Sequence, residues 1–440
     1  MKIGLATWVC ALGVVATNAH AGEPPGFWGI GFLPGGEWSS AADVSADGRV
    51  VIGTAQVRSD AWEAGTVRWT GAHGLELLSL PLPSPRYDFG TCVSADGEVI
   101  VGILDRGSER TGYRWSNAIG FEELDHLPGI NIETIGAAVS FDGTVVAGAS
   151  LVQSEDGTTR YQACQWTADG LSPIGHASSA ANWSVATGVS ADGKVIVGAA
   201  NDLDDDGFGN RSFGPYRWTL ESGIVGLGWL RPDHRFGHAF AISSNRLVIV
   251  GSTWSERDDE EGFRWTANDG MISLGAPPVG VRGVRPYDIS SDRAVITGFW
   301  SVVIDEHTVN NGSFLWTTDR GLCEFQQAIR DECLPGVSGW SDILVTAVAD
   351  DSRTFVGQAR NPQGLEEGWV ARLPSLISLA CDGDADRNER VNFDDVLSVL
   401  ANYGNICRAG AGAPGDADLD GTVAFDDMLE VIVNFGAECE

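Results

Sequence analysis

The sequence predicts an all-β protein: a seven-bladed β-propeller of four-stranded antiparallel blades, followed by a small α-helical domain built on two calcium loops. Three observations predict it. A ten-residue line recurs along the chain, a tryptophan line follows it in each unit, and beyond Leu379 two acidic loops repeat at a spacing of 32.

The first line begins as Val44-Ser45-Ala46-Asp47-Gly48-Arg49-Val50-Val51-Ile52-Gly53. It returns at 93–102, 139–148 and 189–198 with Ser-x-Asp-Gly kept, and in weaker copies at 242–251, 289–298 and 348–357. The second line carries Trp69, Trp115, Trp166, Trp218, Trp265, Trp316 and Trp369, spaced by 46, 51, 52, 47, 51 and 53 residues. A fixed period of this length is the mark of stacked supersecondary units.

Each unit reads as a four-stranded meander. Asp-Gly between two apolar runs is a strong hairpin signal, since both residues tolerate φ > 0. The Val-Val-Ile run that follows is apolar on both faces, as in a strand covered on both sides. A variable loop leads to the tryptophan strand, and a turn such as Thr70 to Gly74 leads to a fourth strand near Leu75–Leu80. The tryptophan is expected to pack between neighbouring blades. Little of this region has helical periodicity.

The ends are in phase with ring closure. Phe27 to Gly35 resembles a fourth strand with no first three before it, so it is expected to lie beside the strand of Trp369. Ser375–Leu379 competes for that place, and an open solenoid would have to cap two edges. With the tryptophan line Gly262-Phe263-Arg264-Trp265-Thr266 and Ser313 to Thr317, the pattern resembles the bacterial extracellular repeats of the HAF family over roughly 27–372. That resemblance implies a fold and no catalytic signature.

In the C-terminal part, oxygen ligands stand at loop positions 1, 3, 5, 7 and 12: Asp384, Asp386, Asn388, Arg390 (through its carbonyl) and Asp395, then Asp416, Asp418, Asp420, Thr422 (through its carbonyl) and Asp427. A hard cation such as Ca²⁺ requires this layout. Each loop runs into an amphipathic helix pattern, Val396 to Tyr403 and Met428 to Phe435, closed by Gly404 and Gly436. The module resembles a type I dockerin over 381–439. Glu389 replaces the bend glycine at position 6 of the first loop. Phe393-Asp394 and Phe425-Asp426 occupy the recognition positions, and neither helix holds a lysine or arginine, so a cohesin-like partner is disfavoured.

Lys2, the apolar run Ile3–Ala16 and Ala19-His20-Ala21 read as a signal peptide over 1–21. The expected organisation is then a propeller over 27–372, a linker over 373–380 and the calcium-loop domain over 381–440, in a protein secreted or held at the cell surface with no membrane span. A formal charge of −32 disfavours nucleic acid. Export permits disulfides, with Cys323–Cys333 and Cys381–Cys407 as candidate pairs among the seven cysteines left after Cys10. Asp202, Asp204 and Asp206 repeat a cation-loop spacing with no acid at its twelfth position, and His234 and His238 lie four apart on a segment that is not helical. No catalytic constellation can be named. The expected role is non-catalytic binding or structure toward a protein or glycan outside the cell, the alternative being an extracellular polysaccharide hydrolase or lyase.

Overall fold

A computed structural model describes residues 25–373, except 59–62, 79–86, 108, 129–132, 154–156, 178–180, 204–211, 257–259, 278–280, 292–294, 304–308, 319 and 332–333, together with Val396. The first unit is a meander of Ser39–Val44, Val50–Arg58, Glu63–Thr70 and Gly74–Leu77, each strand antiparallel to the next. The same four-strand order recurs over 87–123, 134–173, 184–226, 236–273 and 281–324. The last sheet has Ser341–Val348, Thr354–Arg360 and Glu366–Arg372, and takes its fourth strand from the N-terminus: Gly26–Gly29 pairs with Glu366–Arg372, Gly29 opposite Trp369. The strand expected at 27–35 therefore forms at 26–29. Its competitor, Ser375–Leu379, lies outside the described residues.

Ser-x-Asp-Gly works as a turn, by a mechanism more specific than expected. Only the glycine takes a left-handed backbone, with φ of 71° at Gly48 and 68° at Gly193; Asp47 does not. The buried Ser45 hydroxyl donates to Asp47 Oδ1 (2.8 Å) and accepts from Val50 N–H (2.9 Å), while Asp47 Oδ1 also accepts from Arg49 N–H (3.1 Å). Serine and aspartate thus satisfy donors that the tight turn would otherwise strand.

The final glycine of the line answers a feature that the sequence did not announce. In all seven units the first strand carries a β-bulge two residues before the position of Val44, at Ala42, Thr91, Ala137, Thr187, Phe240, Tyr287 and Thr346. The bulge drives a first-strand carbonyl against the second strand: Ser40 O onto Gly53, Val185 O onto Gly198. A Cβ there would lie far inside van der Waals contact, so only glycine fits.

Side chains join each sheet to the next. Trp166 packs on Val99 and Val101 of the preceding unit, and its indole N–H donates to Asp125 O (2.8 Å); Trp316 does the same with Val248, Val250 and Leu274 O (2.9 Å). Hydroxyls at the bulges reach the next first strand, Thr91 to Gly136 O (2.9 Å) and Thr187 to Ala239 O (2.5 Å). Polar groups further back accept from the previous third strand: Gly112 N–H to Thr134 Oγ1 (2.7 Å) and Ala163 N–H to Ser184 Oγ (3.0 Å). The same two devices link the last sheet to the first, through Thr346 to Ala41 O (3.0 Å) and Gly368 N–H to Ser39 Oγ (3.1 Å). A shared apolar cluster of Ala41, Val44 and Val51 with Ala347, Val356 and Val370 covers that junction.

One element departs from expectation. Phe325–Asp331 is a seven-residue α-helix after the sixth unit. Phe325, Ala328 and Ile329 bury against Phe355 and Trp369, so distant strands stabilise a segment too short for its own periodicity to show.

Candidate functional site

The first strands contact one another in succession, and the last contacts the first, so their turn ends surround a common centre. There a cavity of about 150 Å³ is lined by Asp43, Asp288, Asp350, Ser244 and Phe141 among others. Asp43 and Asp288 occupy the same place in units one and six, just past the bulge. Each carboxylate accepts from the N–H of its own next residue and from the next sheet: Asp43 from Val93 N–H (2.8 Å), Asp288 from Val348 N–H (2.9 Å). Ser244 Oγ donates across the centre to Asp350 (3.1 and 3.2 Å).

Burial dominates the electrostatics of this acidic centre. It pushes Asp288 up to about 8, with Asp43 and Asp350 adding like-charge repulsion; Asp43 is raised for the same reasons, against hydrogen bonds from Val93, Cys92 and Val44. Burial and the neighbouring Asp43 also push the Cys92 thiol well up, which leaves it protonated and unreactive. A volume of 150 Å³ falls below the roughly 300–1,000 Å³ of small-molecule sites. Asp43 and Asp288 act here as clasps between sheets.

Further along the same first strands, units four to six gather aromatic rings. His238 stacks on Phe240 (5.6 Å, 11°) and Trp254 (6.2 Å, 7°), and Phe213 meets it edge-on (5.3 Å, 70°). The bulge residues Phe240 and Tyr287 approach to 5.4 Å. Beside them Arg285 grips Glu260 through Nε (2.7 Å) and Nη2 (2.8 Å), and Ser252 Oγ donates to the same carboxylate (2.6 Å). Burial first, and the Arg285 charge second, lower His238 to about 4, so it is neutral at physiological pH. His234 is buried separately, with Nδ1 on Thr253 Oγ1 (2.7 Å). Among the described residues no three His, Cys, Asp or Glu side chains gather as a metal would require.

A larger space of about 790 Å³ opens by the turns of units four to six. Arg217, Arg246, Arg264, Trp265, Asn268 and Asp269 line it. Arg264 lies over the Trp316 ring (6.0 Å), and Arg246 pairs with Asp192 (3.0 Å). Asp269 is engaged by the Thr266 hydroxyl (2.9 Å). Arg217 and Arg264 form no ion pair with a carboxylate among the described residues. This volume lies within the range of ligand sites.

The calcium ligands expected at Asp384, Asp386, Asn388, Arg390, Asp395, Asp416, Asp418, Asp420, Thr422 and Asp427 all lie outside the described residues, as do the signal peptide over 1–21, Cys333, Cys381, Cys407, Asp204 and Asp206. Among the described residues no helix is long and apolar enough to cross a membrane.

No family model matches the sequence, and no curated protein matches it significantly. Solved structures do. An oligogalacturonate lyase from Vibrio parahaemolyticus aligns with a TM-score of 0.52 at 8% identity, over 80% of this chain and 94% of its own. The β-propeller domain of the trilobed protease from Pyrococcus furiosus gives 0.46 at 10% identity, over 79% of this chain and 100% of its own. TolB from Acinetobacter baumannii gives 0.43 at 16% identity, and the chain spans 63% of that protein's length. At such identities the likeness speaks to fold alone. Joined to the recurrent four-stranded sheets arranged about a common centre, it gives this chain a β-propeller fold.

Proposed function

We propose that the chain is a secreted, non-catalytic binding protein: a closed, seven-bladed propeller of HAF-type repeats, carrying a dockerin-like calcium module for attachment or assembly. Closure is supported by the two hydrogen-bond devices and the apolar cluster that repeat between the last sheet and the first. Secretion and the calcium module rest on sequence pattern, namely the leader over 1–21 and the two loops with ligands at positions 1, 3, 5, 7 and 12.

One observation carries the binding reading. The ligand-sized groove is furnished with guanidinium, indole and amide groups, which recognise a ligand, whereas Asp43 and Asp288 at the centre are both occupied by backbone N–H groups. The enzymatic alternative, an extracellular polysaccharide hydrolase or lyase, draws on Asp288. A carboxyl that keeps its proton near neutral pH is what general-acid catalysis needs. The confined cavity around it favours the clasp role.

A glycan-array screen of the full chain, with and without EDTA, tests the proposal. Retention of a glycan without product formation supports it, and release of shortened or unsaturated saccharides overturns the non-catalytic reading. Failure of both binding and turnover moves the partner from glycan to protein.

A further inference from the structure

We propose that the groove by the turns of units four to six binds an acidic saccharide through its uronate carboxylates; this rests on the binding reading above and names the ligand class. Three observations converge on it.

The first is a missing acid. The arginine of the Arg-Trp line faces a fourth-strand residue directly across the strand pair. In units one and two that residue is a glutamate, Glu76 opposite Arg68 and Glu122 opposite Arg114. In units four and five it is aliphatic, Val225 opposite Arg217 and Ile272 opposite Arg264. The acid is gone at the two units whose arginines line the groove, in a chain that carries 60 acids against 28 bases. Arg68 and Arg114 form no ion pair with the glutamates that face them, so the difference is one of nearby negative charge. Units one and two set a carboxylate across the strand pair, whereas units four and five set aliphatic surface there and leave the groove wall more cationic.

The second is strain. At the turn position where units one to four place a left-handed glycine, unit five has Arg246 with φ of 67°. A β-substituted residue in that region is disfavoured. Unit seven also places a non-glycine residue there, Ser352 with φ of 58°. Among the described residues, only in unit five does the strained residue add a guanidinium to the groove wall, where it pairs with Asp192 at 3.0 Å.

The third is the chemistry of the lining. Guanidinium groups recognise carboxylates by paired N–H donors. The half-buried Trp265 ring supplies an apolar face, and Asn268 supplies an amide partner for sugar hydroxyls. Asp269, the one acid on the wall, already accepts from Thr266, which limits its repulsion of an anion.

Calorimetric titration of the full-length protein tests this with three probes: a uronate hexasaccharide, the same saccharide with its carboxyls reduced to alcohols, and a sulfated neutral hexasaccharide. The uronate is expected to bind, the reduced form to bind at least about tenfold more weakly, and affinity to fall with salt. Arg264→Gln and Arg217→Gln are each expected to weaken uronate binding by about tenfold. Ile272→Glu, which introduces the acid that units one and two carry at this position, is expected to weaken it too. Arg246→Gly relieves the turn, so a melt at or above the wild-type temperature together with weaker binding separates recognition from folding. Equal binding of the reduced saccharide, or variants that bind like wild type, overturns the uronate assignment while leaving a glycan-binding role intact. Equal binding of the sulfated probe shows charge attraction alone and overturns it as well. No binding of any saccharide overturns both.

Discussion

Asp88→Asn isolates one buried carboxyl. Asp88 is 4% exposed, and its carboxylate accepts from Thr66 N–H in the neighbouring third strand; the Thr66 hydroxyl in turn meets Tyr113 OH at 2.6 Å. Burial raises Asp88 from 3.8 to about 6, against hydrogen bonds from Thr66 that lower it. The folded protein therefore holds this proton more tightly than the unfolded chain. Its contribution to stability is complete below about pH 4 and is lost as pH rises through about 6. A shift of about two units corresponds to about 3 kcal/mol. Asparagine keeps an oxygen for Thr66 N–H and never ionises, so the variant should gain on wild type as pH rises. Between about pH 4 and pH 8 the gain should approach 3 kcal/mol, or several degrees in Tm. Asp43 and Asp288 titrate in the same direction in both proteins and cancel in the difference. Urea unfolding followed by tryptophan fluorescence across that range measures it. Parallel stability curves for the two proteins would refute the assignment of a raised pKa to Asp88.

Other expectations follow from the joints of the structure. Gly198→Ala should cost about 1–3 kcal/mol or more, because the new methyl group meets Val185 O at the bulge; denaturant midpoints check it. Phe27→Ala should cost about 3–5 kcal/mol, since Phe27 is 2% exposed and stacks on Trp369 at 4.9 Å; a loss as small as that of a surface substitution would mean that the N-terminal strand does not complete the last sheet. Under the proposed calcium module, the full chain should gain helical circular dichroism and a second melting transition in calcium. Identical curves in calcium and chelator would refute that reading.

The local features of this protein were legible in its sequence. Ser-x-Asp-Gly turns are closed by their own side chains within five residues, so the motif and the hairpin are one signal. The tryptophan line marked inter-sheet packing, since a large apolar residue at a fixed period has few other places to go. The phase of residues 27–35 anticipated a strand beside that of Trp369, of which Gly26–Gly29 forms the paired part. Tertiary structure decided what depends on register and on distant neighbours. An inserted residue at a bulge has no composition of its own; its trace is the glycine on the facing strand, which reads as a repeat residue until Ser40 O is placed against Gly53. Asp43 and Asp288 were two acids among 60 until the bulges turned them toward the next sheet. The short helix at Phe325–Asp331 is held by residues far along the chain. Arg217 and Arg264 looked like further copies of the Arg-Trp line. Only the pairing that sets Val225 and Ile272 opposite them, where Arg68 and Arg114 face Glu76 and Glu122, set them apart, because cross-strand neighbours are fixed by register and never by the order of residues alone.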